Sequence, residues 1–168
     1  PDNLENKIVQ MLEWLKVMCH PDKEIAFFND SALGIAPSFV ELLSYSDRLS
    51  LVFKNNQVNR LTHLKESGYI RVEDENMVII ADVADIGPDY IPGHGHADAL
   101  SFELSLFGKR VIVNSGISTY EMGIDRYKQR STELHSTITI DNQNSSEVWS
   151  GFRVANRAKV FDIKKSED

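Results

Sequence analysis

Gly68-Tyr69-Ile70-Arg71-Val72-Glu73-Asp74-Glu75-Asn76-Met77-Val78-Ile79-Ile80-Ala81 decides the fold class. β-Branched and aromatic residues fill its two ends, and an acidic, turn-prone tetrapeptide separates them. The pattern predicts a hairpin of two strands, Tyr69–Val72 and Met77–Ala81. Downstream, Ser101-Phe102-Glu103-Leu104-Ser105-Leu106 alternates strictly, so one strand face is apolar and the other polar. Phe107-Gly108-Lys109-Arg110 then turns the chain into Val111-Ile112-Val113. Further strands are predicted at Thr137–Ile140, ahead of the turn-rich stretch 141–146, and at Ala158–Ile163. Short strands joined by polar turns, with no helices between them, predict an antiparallel sandwich and not a βαβ fold.

Upstream the apolar period lengthens. Ile8, Met11, Leu12, Leu15 and Met18 recur at helical spacing, with Asp2 or Asn3 available as a cap and His20-Pro21-Asp22 as a stop. A second helix is predicted from about Pro37, a residue suited to a first helical turn, through Phe39, Val40, Leu42 and Leu43. Two helices this apolar require a partner surface. The fold class is therefore mainly β with N-terminal helices (α+β).

Composition narrows the functional classes. Of 168 residues, 42% are hydrophobic and 26% charged, which suits a globular domain, and the formal net charge is −7. An acidic chain lacks the basic footprint of a nucleic-acid binder. No apolar run approaches the roughly 20 residues of a membrane span. The single cysteine, Cys19, allows no intrachain disulfide and reads as a buried core thiol.

Three of the five histidines carry chemical information. His94 and His96 stand two apart in Ile91-Pro92-Gly93-His94-Gly95-His96, and in extended chain such side chains share a side. Gly93 and Gly95 allow close approach of backbone or ligand. His135 precedes a predicted strand and can come beside His96 in a sheet. Neutral imidazoles suit zinc; a histidine titrating near neutrality suits proton transfer. The residues alone leave both open. His20 and His63 read as surface residues.

Three ordered segments carry a resemblance. Gly93-His94-Gly95-His96-Ala97-Asp98-Ala99-Leu100-Ser101-Phe102-Glu103-Leu104 resembles the hallmark strand entry of heparinase II/III-like proteins. Lys109-Arg110-Val111-Ile112-Val113-Asn114-Ser115-Gly116 resembles the segment that follows it in the family. Arg130-Ser131-Thr132-Glu133-Leu134-His135-Ser136-Thr137 is similar to a third. The helical stretch from Trp14 to Phe39, with Phe27-Phe28-Asn29-Asp30, looks like the end of that family's α/α toroid.

The resemblance implies a toroid end over residues 1–65 and an antiparallel β-sandwich over 66–168. It implies β-elimination on an acidic, uronic-acid-containing polysaccharide, in surface-polysaccharide metabolism and not necessarily on heparin, and a periplasmic or cell-envelope setting. By resemblance, His94 and Tyr120 are catalytic, with Tyr127 a rival to Tyr120. Arg130 and Trp149 are expected at the substrate. His96, His135 and Asn114 match the positions that hold a structural zinc, although Asn114 stands where the family commonly has aspartate, and a neutral amide is the poorer ligand. Asp98 either orients a histidine or caps a turn. The toroid residues that complete such a site are expected outside this chain, and an exposed toroid face predicts a homo-oligomer. Two other classes remain: a non-catalytic glycan-binding module, and a zinc-dependent hydrolase in which the three histidines activate water.

Overall fold

The computed structural model describes residues 2–53, 58–164 and 166. Helix α1 spans Asp2–Val17 and α2 spans Phe39–Arg48. The cap of α2 is Ser38 and not the first turn at Pro37: the Ser38 hydroxyl accepts the Glu41 N–H, and the Glu41 carboxylate accepts the Ser38 N–H at 2.8 Å. This reciprocal pair satisfies two otherwise orphan donors, which is why the helix starts two residues past the proline.

Five strands follow as one antiparallel sheet in sequential order: β1 (Leu61–Leu64), β2 (Tyr69–Glu73), β3 (Met77–Asp82), β4 (Phe102–Leu106) and β5 (Lys109–Ile112). The hairpin of β2 and β3 pairs Tyr69 with Asp82 and Val72 with Ile79. Gly68 opens β2 at φ +72°, where an added Cβ would meet Ala84 at 2.5 Å. The chain then forms a short helix α3 (Ile124–Gln129), a 3-10 turn (Thr132–Leu134) and a ribbon of β6 (Glu147–Trp149) with β7 (Arg153–Ala155). Mainly β, antiparallel and preceded by helices, the fold class is the expected one.

Two expected strands are absent. Thr137–Ile140 forms only an isolated bridge, Ile140 to Gln143, and Ala158–Ile163 has no ladder partner among the described residues. Ile138 and Ile140 are largely exposed, so their alternation marks no packed strand face. Residues 124–129, in the part expected to hold no helices, form a helix.

The sheet buries its polar face. Glu103 and Ser105 are almost fully inaccessible, whereas Phe102, Leu104 and Leu106 of the same strand are only half-buried. The segment that follows α1 covers the polar side. His20 faces Ser105 Oγ at 2.7 Å and Glu103 Oε2 at 2.9 Å, the Phe27 and Asn114 N–H groups donate to Glu103 Oε1, and Arg71 donates to the carbonyls of Val17 and Cys19. Arg110 joins from β5 by donating to Asp22 and to the carbonyls of Glu24 and Ile25. His20 is thus a buried bonding residue and not the surface histidine expected of a helix end. Met18, Ala26, Phe28, Tyr69, Val78 and Ile80 form the apolar cluster beside this network. Cys19 is buried there, as expected, and burial raises its thiol to about 11.

A fully satisfied carboxylate at this seam stabilises the fold only while its donors remain matched. Glu103→Ala is expected to destabilise the chain by roughly 3 kcal/mol, because it strands buried donors of His20, Phe27 and Asn114. Urea unfolding monitored by Trp fluorescence measures the loss, and an unchanged midpoint would contradict it.

Candidate functional site

The loop between β3 and β4 carries Gly93 to Asp98 to the end of the sheet, beside α3, the 3-10 turn and the β6–β7 turn. Gly95 makes its path possible: an added Cβ would lie 2.8 Å from Ile86 Cγ1, and its carbonyl accepts both Nε and an Nη of Arg130. His94 and His96 reach the same carboxylate, that of Asp30, which arrives from the segment between α1 and α2. His94 Nδ1 lies 2.7 Å from Asp30 Oδ2 and His96 Nε2 lies 2.8 Å from Oδ1. The two side chains do share one side.

Asp30 is also gripped by Arg126 of α3. Arg126 Nη1 donates to Oδ1 at 2.5 Å and Nη2 donates to Oδ2 at 2.9 Å, while Nε donates to the Gly151 carbonyl at 3.0 Å. Bidentate charge-assisted pairs of this kind fix orientation as well as distance. Burial disfavours the ionised carboxyl, but the hydrogen bonds from His96, Arg126 and His94 outweigh it and hold Asp30 well below the usual carboxylate range.

Above this ion pair lies an aromatic surface. The Arg126 guanidinium sits 5.2 Å from the Tyr120 ring centre and 5.3 Å from that of Phe152. His94 packs edge-on against both rings, at 5.9 and 5.7 Å. The His94 side chain is 66% exposed, and Tyr120 and Phe152 are each nearly half exposed. An imidazole held by one nitrogen in a buried ion pair and otherwise open beside a phenol is equipped for proton transfer.

Behind it, His96 and His135 face each other, His96 Nδ1 to His135 Nε2, at 3.2 Å. Their outer nitrogens are both engaged: His96 Nε2 by Asp30, and His135 Nδ1 by Asn114 Oδ1 at 3.3 Å. Asn114 Oδ1 is identified by the Ser136 N–H, which donates to it at 3.0 Å. With the outer hydrogens directed outward, the two inner nitrogens are free to offer their lone pairs to one ion. Two nitrogens on one tetrahedral ion at about 2.0–2.1 Å would stand roughly 3.3 Å apart. Donor atoms of His96, Asp98 and His135 all lie within 4.8 Å of one another, and Asp98 Oδ2 is buried with no hydrogen-bond partner. The donor set fits a metal ion. Burial lowers both imidazoles, His135 to about 3 with the charge of His96 contributing, so both keep the neutral form that ligation needs.

The remaining expected residues fall as follows. Asn114 stands on the outer nitrogen of His135, where it orients the ring. Arg130 is fully buried and donates to the carbonyls of Gly95, Ser150 and Arg153; burial, then the charge of Arg126, lowers it to about 10. It shapes the loop from beneath. Trp149, on β6, is half exposed and does not join the rings at His94. Tyr127 hydrogen-bonds Asn144 on another side of α3. Asp30, Arg126 and Phe152 are the residues that sequence reasoning did not single out. Asp30 lies in the quoted Phe27-Phe28-Asn29-Asp30 segment, but nothing local links it to residues 64 and 96 positions away.

On the far side of Asp98 lies a cavity of about 830 Å³ lined by Tyr69, Asp82 and Asp98, among others. Burial raises the Asp82 carboxyl to about 7, and burial followed by the neighbouring Asp82 charge raises Asp98 further above its ordinary range.

The family model for the heparinase II/III-like C-terminal domain matches residues 56–168, so the chain belongs to the heparinase II/III-like family. No curated protein matches the sequence. Among solved structures, that of a heparinase III superposes with a TM-score of 0.68 at 18% identity, covering 86% of this chain and 27% of that one. A mutant of a heparan sulfate lyase from Pedobacter heparinus gives 0.67 at 21% identity, covering 86% and 25%. A further heparinase III gives 0.65 at 18%, covering 89% and 27%. The chain spans about a quarter of the length of these structures, and at such identities they share its fold.

Two outcomes are expected. Chelator treatment should lower the melting temperature of metal-loaded protein, and His135→Ala should abolish both that response and metal retention in elemental analysis. For Asp82 the folded pKa lies above the unfolded 3.8, so its contribution is present below that value and is lost as pH rises through about 7. Asp82→Asn, which cannot ionise, should therefore gain stability relative to the parent between about pH 4 and pH 8, measured as paired denaturation midpoints. A constant difference would contradict the assignment.

Proposed function

We propose that the protein carrying this chain is a polysaccharide lyase that cleaves uronic-acid-containing glycans by β-elimination, in surface-polysaccharide metabolism. The single observation that carries this reading is His94. It is an exposed imidazole seated by Nδ1 on the buried Asp30–Arg126 pair, between the rings of Tyr120 and Phe152, in a chain of this family. β-Elimination removes the proton α to the uronate carboxylate at C5, stabilises the enolate-like charge and protonates the departing oxygen at C4. In this reading His94 and Tyr120 handle protons, and the Asp30–Arg126 pair beneath them holds His94 in place. Trp149 offers its half-exposed ring to a sugar further along the chain. Arg130 serves the substrate indirectly, through the loop it holds.

Residues 1–65 are read as the end of an α/α toroid and 66–168 as the sandwich part. Residues for carboxylate neutralisation come from the toroid in this reading, as does the partner for the outward Leu4 and Met11 of α1, which are 68% and 63% exposed. Without that partner the same face supports self-association. Zinc is the proposed ion for His96 and His135, with Asp98 nearest to supply a carboxylate and Asn114 in support. Bound there it ties the β3–β4 loop to the 3-10 turn, and its chemistry is structural.

The test is ultraviolet absorbance from unsaturated uronides with a panel of uronic-acid polysaccharides and the whole protein. His94→Ala should reduce the rate about 10²–10⁴-fold with the melting temperature retained. Cleavage without an unsaturated product, or full activity in the variant, would sink the reading.

A further inference from the structure

The carboxylate that joins the two histidines does more than hold them in place. An ionised carboxylate accepts hydrogen bonds and donates none. Each oxygen of Asp30 takes one guanidinium N–H and faces one imidazole nitrogen: Arg126 Nη1 and His96 Nε2 at Oδ1, Arg126 Nη2 and His94 Nδ1 at Oδ2. The Asp30 side chain is only 5% exposed and that of Arg126 is fully buried, so water does not replace either donor. The nitrogen that faces Asp30 must therefore carry the hydrogen in each neutral ring.

We propose that Asp30 is a positioning residue that fixes opposite tautomers on the two histidines, Nδ1–H on His94 and Nε2–H on His96. His94 then presents a bare Nε2 on its exposed ring, beside Tyr120. His96 presents a bare Nδ1 toward His135 Nε2, 3.2 Å away, to accept its hydrogen or to share an ion with it. One carboxylate thus sets an open proton acceptor on one side and a ligand pair on the other. A free histidine side chain in water prefers Nε2–H, so the His94 state is imposed by the fold. Arg126 keeps Asp30 in the acceptor-only form, and its guanidinium lies over the Tyr120 and Phe152 rings at 5.2 and 5.3 Å. The inference rests on the lyase reading only for what the bare Nε2 of His94 does; the tautomers themselves do not depend on it.

Long-range ¹H–¹⁵N correlation spectra of the chelator-treated 168-residue chain, at about pH 8 where an ordinary histidine is neutral, read the tautomers directly. The expected result is Nδ1–H on His94 and Nε2–H on His96, each dominant by roughly tenfold or more, because a charge-assisted hydrogen bond outweighs that factor. Asp30→Asn should shift His94 toward Nε2–H, whereas a residue with a merely structural role would change stability and leave the tautomer as it was. His94 found as Nε2–H or as an averaged mixture in the unmodified chain overturns the proposal, and so does an unchanged His94 in a folded Asp30→Asn variant. If that variant does not fold, the spectrum of the unmodified chain decides alone. Absence of elimination activity in the whole protein strikes the lyase reading and leaves the tautomer result standing.

Discussion

Asp30 and Arg126 come from opposite ends of the chain and meet where water does not reach. Removing either partner would leave an uncompensated buried charge, a loss of about 3–5 kcal/mol in comparable settings. The pair therefore binds the segment after α1 to α3, and through the Gly151 carbonyl to the β6–β7 turn. The open histidine, the imidazole pair and the aromatic surface all take their positions from it. Such a pair is costly to desolvate, and a hydrophobic replacement would often be at least as stable. What the ionic version adds is direction: four donors converge on two oxygens in one plane-matched geometry.

The seam around Glu103 repeats this logic in the sheet. Its carboxylate gathers donors from the segment after α1 and from Asn114 just past β5, so hydrogen bonds join the sheet to the helical part alongside the apolar cluster of Met18, Phe28, Tyr69 and Ile80. Such a join is specific in register, since sliding by one residue would unpair every member. It also explains how a short N-terminal segment can deliver Asp30 to a loop more than sixty residues away with the accuracy a shared carboxylate demands.

Much of the architecture was legible in local sequence. The β2–β3 hairpin followed from its β-branched ends and acidic turn, and β4 from its strict alternation. The His-x-His pair announced a shared side, and His135 came beside it as the order of segments suggested. What stayed hidden depends on distance. Alternation at Ser101–Leu106 shows that two faces differ but not which one is covered, and here His20, Arg71 and Arg110 bury the polar one. Ile138 and Ile140 alternate as a strand does, yet no ladder partner reaches them. Asp30 and Arg126 look like ordinary surface charges because nothing near either one in sequence reveals the other.

The inverted sheet has a consequence for how change is tolerated. In most half-buried strands the polar positions drift freely and the apolar ones are constrained. Along β4 the order reverses: Glu103 and Ser105 sit in a closed network, while Phe102, Leu104 and Leu106 keep partial contact with solvent. Ranking substitutions by hydrophobicity would therefore misjudge this strand. A serine that reads as decoration is one of its least replaceable residues, and a neighbouring leucine is among its more forgiving ones.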